Sequence, residues 1–148
     1  MKGEEKAMQH ATADTFDLSP QLNTLVGDGV ICALLFSADG MPLAASDGLS
    51  REATERSCAA FSGMYSLQRG FAEFCQTDPN TLRPRAQMID FVSHTVLLLA
   101  AGRNSGLAIS VEGQVFSPSA QLALKKGLKL ITALEPVLAA RDRPTQRA

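Results

Sequence analysis

The sequence predicts an α+β fold in which hairpin-connected strands form a sheet with helices packed against it, in the order α-β-β-α-β-β-β-α. Three observations predict it. Ser-Pro pairs open helices at Ser19-Pro20 and Ser117-Pro118, an Ala38-Asp39-Gly40 turn joins two apolar runs, and a Gly- and Asn-rich loop at residues 102–106 joins two more. The 148 residues suit a single domain, with the folded unit at residues 17–140 and tails at 1–16 and 141–148.

At Ser19-Pro20 the hydroxyl is placed to cap free amides, and proline takes the first helical position, where its missing N–H costs nothing. This first helix carries Leu22, Leu25 and Val26 and stops at Gly27-Asp28-Gly29. Residues 30–36 read as a strand buried on both faces, and residues 41–46 as its hairpin partner. Ser50 then caps a long helix, with Glu52 and Glu55 favouring its positive end, that runs to Phe74 or Cys75. From 85 to 92 the residues alternate, with Gln87, Ile89 and Phe91 on one face and Ala86, Met88, Asp90 and Val92 on the other. Residues 95–101 and 107–111 complete a three-strand meander. The last helix runs from Pro118 to Ala140, with Pro136 placed to kink or reset it.

Apolar residues make up 45% and charged residues 20%, enough for a core, and the formal charge of −1 gives no footprint for a polyanion partner. Nucleic acid is disfavoured a second time by the lack of Trp, the single Tyr and the absence of aromatics interleaved with basic residues. The longest apolar runs fall far short of the ~20 residues a membrane-spanning helix needs, so no direct membrane insertion is expected. Three cysteines without a CxxC pair, and no apolar leader, point to a reducing cytoplasm.

On a helical wheel, residues 50–75 place Ala53, Ala60, Phe61, Met64, Tyr65, Leu67, Phe71, Phe74 and Cys75 on an arc of roughly 200°, wider than one sheet contact uses. Ala59, Gly63, Ser66 and Gly70 form a separate ridge of small residues. Each helical glycine costs about 1 kcal/mol relative to Ala, and close approach of another backbone is the usual compensation. In the last helix Ala123, Leu124, Leu130, Ile131, Leu134 and Leu138 turn inward. Lys125, Lys126, Lys129 and Thr132 form a solvated outer face.

No catalyst emerges. The histidines are His10 in a tail and His94 at a turn, no GxSxG elbow is present, and neither GxxxxGK[ST] nor a post-strand GxGxxG occurs. Cys32, Cys58 and Cys75 are spaced as small apolar fillers rather than metal ligands. No cofactor and no metal are expected.

The hairpin Leu34-Leu35-Phe36-Ser37-Ala38-Asp39-Gly40-Met41-Pro42-Leu43-Ala44-Ala45-Ser46, followed by Gly48-Leu49-Ser50-Arg51, then Ser62-Gly63-Met64-Tyr65-Ser66-Leu67 and Gly70, resembles the roadblock/LC7 family in its bacterial, actinobacterial form. Val96-Leu97-Leu98-Leu99-Ala100-Ala101-Gly102 with Gly106-Leu107-Ala108-Ile109 resembles that family's fourth and fifth strands. Two departures stand out: the first helix is short, and residues 76–84 are polar with two prolines. The resemblance implies a profilin-like three-layer sandwich around a five-stranded antiparallel sheet. It also implies a non-enzymatic homodimer that binds and regulates a small Ras-like GTPase, beside a sensor-kinase-like protein of the same system. The third strands would pair across a two-fold axis, so the expected dimer interface is Gln87, Ile89 and Phe91 with the ridge Ala59, Gly63, Ser66 and Gly70. The expected GTPase surface is Arg51, Glu55, Ser62, Arg69 and Glu73. An arginine finger would need an exposed Arg, and Arg51, Arg56 and Arg69 serve equally well as helix-surface charges. A reading of a different class is a small-molecule-sensing profilin-like domain, which requires a cavity with convergent polar groups.

Overall fold

Alternation of apolar residues along hairpin-linked strands leads to a sheet with two faces, and both faces here need a cover. In the computed structural model, which describes residues 17–142, the elements are α1 (Ser19–Asn23), β1 (Val30–Ser37), β2 (Pro42–Ala45), α2 (Arg51–Leu67), α3 (Ala72–Cys75), β3 (Ala86–Asp90), β4 (His94–Ala100), β5 (Ser105–Glu112) and α4 (Pro118–Asp142). The strands form one antiparallel sheet in the order β2-β1-β5-β4-β3. The expected tail at 1–16 lies outside the described residues. Arg141 and Asp142 belong to α4 rather than to a tail.

One face of the sheet packs Val30, Ala33, Leu35, Leu97, Leu99, Leu107, Ile109 and Val111 against Leu18, Leu22 and Leu25 around α1 and against Ala120, Ala123, Leu134 and Leu138 of α4. The other face packs Leu34, Phe36, Leu98 and Ala108 against Cys58, Phe61, Met64 and Tyr65 of α2. The result is three layers, α1 and α4, sheet, then α2. A Cβ on Gly127 would lie 2.8 Å from Ile109 Cδ1 and 3.0 Å from Leu99 Cδ1, so this glycine is what lets α4 settle onto the sheet.

Several expectations change. Ser19 does not cap α1: Leu18 is the cap residue and Asp17 Oδ1 accepts from the Ser19 N–H at 2.9 Å. Val26 is exposed. β1 is buried on both faces only from Ala33 to Phe36, because the register shifts between Val30 and Cys32 and turns Ile31 outward. Ser105 and Gly106 belong to β5 rather than to the loop, and His94 opens β4. The long second helix is not continuous: a 3₁₀ turn, Gln68–Phe71, separates α2 from α3, and Gln76 ends it at φ 53°. Pro136 neither ends nor resets α4. The Ser117 cap holds, its Oγ accepting from Ala120 N at 3.2 Å.

Candidate functional site

The site is built on α2 and the strand edge beside its C-terminal end. Ser50 caps α2, accepting from Ala53 N at 3.1 Å, and Glu52 sits in the first turn. The helix is seated by Cys58, fully buried, and by Phe61 and Tyr65, whose rings stand 5.4 and 5.6 Å from that of Phe36. Ser62 Oγ donates to the Ala38 carbonyl at 2.7 Å and ties the helix to the β1–β2 turn. Gln68 Nε2 donates to Gln87 Oε1 at 3.3 Å and ties its end to β3.

Only part of the wide apolar arc meets the sheet. Ala60, Leu67, Phe71 and Phe74 face away, Phe74 being 88% exposed. The ridge Ala59, Gly63, Ser66 and Gly70 is exposed too, and a Cβ on Gly63 or Gly70 would meet nothing within 4 Å. No element of the described chain therefore makes the close approach expected at these glycines.

Of the residues expected to contact a GTPase, Arg51 pairs with Glu55 at 3.2 Å and Arg69 donates to Asn80 Oδ1 at 2.9 Å, while Glu73 is exposed. Ser62 is half-buried and its hydroxyl is occupied by Ala38. Arg51 opens α2 and Arg69 lies in the 3₁₀ turn beyond its end, and the 17 residues of α2 alone span about 25 Å at 1.5 Å per residue, so these groups span a face rather than converge on a point.

Among the described residues β3 is an edge strand, paired with β4 alone. The Ala100 N–H donates to the Arg85 carbonyl and the Phe91 N–H to the His94 carbonyl. Antiparallel pairing alternates, so Gln87 and Ile89 also bond to β4, and the backbone groups of Ala86, Met88 and Asp90 point to the open edge. Gln87 and Ile89 lie half-buried on the α2 side, Ile89 against the cluster under the helix. Phe91 does not continue the alternation: the strand ends at Asp90, Val92 turns at φ 75°, and both Phe91 and Val92 are exposed.

Hollows of different shape lie beside α2. A groove of 380 Å³ is walled by Gln68, Phe71, Phe74, Cys75, Leu82, Arg83 and Pro84. A narrower crevice of 220 Å³ lies between α2 and the sheet, where Cys32, Ser57 and Ser110 are the polar side chains among apolar walls that include Leu49, Phe61 and Val96. Burial pushes the Cys32 thiol up and the Tyr65 hydroxyl up to about 12; burial, aided by the Glu55 carboxylate, pushes the Cys58 thiol up to about 11. Cys75, expected as an apolar filler, is exposed. Among the described residues no group of three or more His, Cys, Asp or Glu is arranged to hold a metal ion, and no helix is long and apolar enough to cross a membrane.

The exposed aromatic stripe and the groove wall at Leu82 and Pro84 were not singled out as a site from the sequence. The wheel did carry a signal, an apolar arc too wide for one sheet.

The described residues form a three-layer α+β sandwich with an open strand edge and, beside it, a helix face that no other described element covers. The chain belongs to the Roadblock/LC7 domain family, whose model matches residues 22–110. A Roadblock/LC7 domain from Streptomyces avermitilis is 24% identical, with 83% of this chain and 98% of that chain covered at a TM-score of 0.66. MglB of Myxococcus xanthus shares the fold at 12% identity, 87% and 92% coverage and a TM-score of 0.70. Acanthamoeba castellanii profilin IA does so at 16% identity, 80% and 97% coverage and a TM-score of 0.52. The fold is thus the profilin-like roadblock fold. A comparison with curated proteins finds no match.

Proposed function

We propose that this chain is a non-catalytic homodimeric regulator or scaffold that binds a small Ras-like GTPase in a bacterial signalling complex. Membership of the Roadblock/LC7 family supports a GTPase-associated regulator. The observation that carries the finer reading is the pairing of an open β3 edge with an adjacent helix face that nothing among the described residues covers.

In this reading β3 pairs with its twin about a two-fold axis, which joins two sheets into one and brings the two α2 helices to the same side. Gly63 and Gly70, with Ala59 and Ser66, let helices approach closely. The charged face from Arg51 and Glu55 to Arg69 and Glu73 then meets the GTPase. Nucleotide chemistry belongs to the partner, and the protein works in the cytoplasm, with a sensor-kinase-like protein in the same system.

Light scattering tests the self-association: a mass near twice 15.7 kDa is expected, and a 15.7 kDa particle at all concentrations contradicts it. Nucleotide-dependent capture of a small GTPase tests the partner. The 220 Å³ crevice favours one further reading, a small-molecule sensor, whose signature is stabilisation by a small apolar compound in a thermal-shift screen.

A further inference from the structure

The groove and the exposed Phe91 lie at opposite ends of one strand edge. The groove wall at Arg83 and Pro84 runs directly into Arg85 and β3, while Phe91 follows the last residue of β3. We infer that the groove is the seat for Phe91 of a second copy of this chain, so that each dimer holds two such anchors, one at either end of the shared strand pair. The inference rests on the self-association proposed above.

The register follows from the open backbone groups. Ala86, Met88 and Asp90 point outward, and an antiparallel pair centred on Met88 sets Met88 against its twin and Ala86 against the twin's Asp90 on both sides. That alignment closes about six hydrogen bonds, whereas moving the centre to Gln87 or Ile89, a slide of two residues, leaves about four, because each bonded pair exchanges two. Centred on Met88, the pair places Phe91 of one copy, whose N–H still bonds to β4, beside Arg85 of the other.

The chemistry agrees at that point. Phe91 is 58% exposed, which is unfavourable for an isolated aromatic in water, and the groove offers Phe71, Phe74, Leu82 and Pro84. A two-fold axis normal to the sheet keeps both α2 helices on one side, the side on which the groove lies.

The test uses the native Cys75, which lines the groove and is exposed. Phe91→Cys, treated with a short bismaleimide, is expected to run at twice the chain mass on a denaturing gel, and the link is expected to disappear in Phe91→Cys/Cys75→Ser. Phe74→Ser, at a side chain 88% exposed in its own chain, is expected to raise the dimer dissociation constant about 10- to 100-fold. A wild-type dimer that is indifferent to Phe74→Ser and gives no Cys75-dependent link overturns the seat and leaves the dimer standing. A wild-type chain that is monomeric at every concentration overturns both.

Discussion

Gly106 faces Phe36 across the β1–β5 ladder, and a methyl group at its Cα would stand 2.5 Å from Cζ of that ring and 2.9 and 3.0 Å from its two Cε atoms. Carbon pairs settle at about 3.5–4.0 Å, so Gly106→Ala forces the ring to move. The ring has little room: it is fully buried, with Phe61 and Tyr65 of α2 against it. Overpacking of this kind costs about 1–3 kcal/mol, and Ala returns about 0.5–1 kcal/mol by restricting the unfolded strand, for a net loss of up to about 2.5 kcal/mol. Phe36→Leu removes the ring atoms that the new methyl strikes. The double variant is therefore expected to be more stable than the sum of the two single changes by about 1–2 kcal/mol. Urea unfolding followed by circular dichroism measures all four corners of the cycle. Strict additivity in the double variant would refute the claim that the Phe36 ring fills the space beside Gly106.

Met88→Pro removes an outward N–H that β4 does not use, so it is expected to keep the fold and lose the dimer, as read by circular dichroism and light scattering. Ile89→Lys, by contrast, is expected to lower stability itself, since Ile89 packs beneath its own α2. Arg69→Ala and Glu73→Ala are expected to leave the dimer mass unchanged and weaken GTPase capture. In thiol labelling at neutral pH, Cys75 is expected to react fast and Cys58, buried and with its thiol raised to about 11, to stay silent until the protein unfolds. Cys58 and Tyr65 ionise more readily unfolded, near 9 and 10, than folded, near 11 and 12. Their contribution is thus fully present below pH 9 and lost as pH rises towards 12, and a melting temperature that rises across that window would contradict it.

Features set by chemistry within a few residues were legible in the sequence. The Asp-Gly turn, the Ser50 and Ser117 caps and the alternation through Ile89 all stand where expected. Features set by competition between distant groups were not. Asp17 takes the amide that marks the start of α1, and a register shift turns Ile31 out of a run that reads as uniformly apolar. The glycine that permits close packing within the chain is Gly127, readable afterwards as one line with Ala123, Leu130, Leu134 and Leu138 on α4, whereas Gly63 and Gly70 face open space. In the candidate site, periodicity placed Gln87 and Ile89 on the correct face and failed at Phe91, because the chain leaves the strand at Asp90. The groove was hidden for a further reason: residues 82–84 meet Phe71 and Phe74 only once α3 has ended at a left-handed Gln76 and the chain has turned back.

The central claim is that this chain is a binding platform for a small GTPase, and affinity capture on the wild-type protein tests it most directly. Lysate of the source cells is divided between GDP and a non-hydrolysable GTP analogue, and the captured proteins are identified by mass spectrometry. Recovery of a small Ras-like GTPase, stronger in one nucleotide state than in the other, is the expected result. Recovery of no GTPase in either state, from bait that is folded and dimeric, would contradict the account.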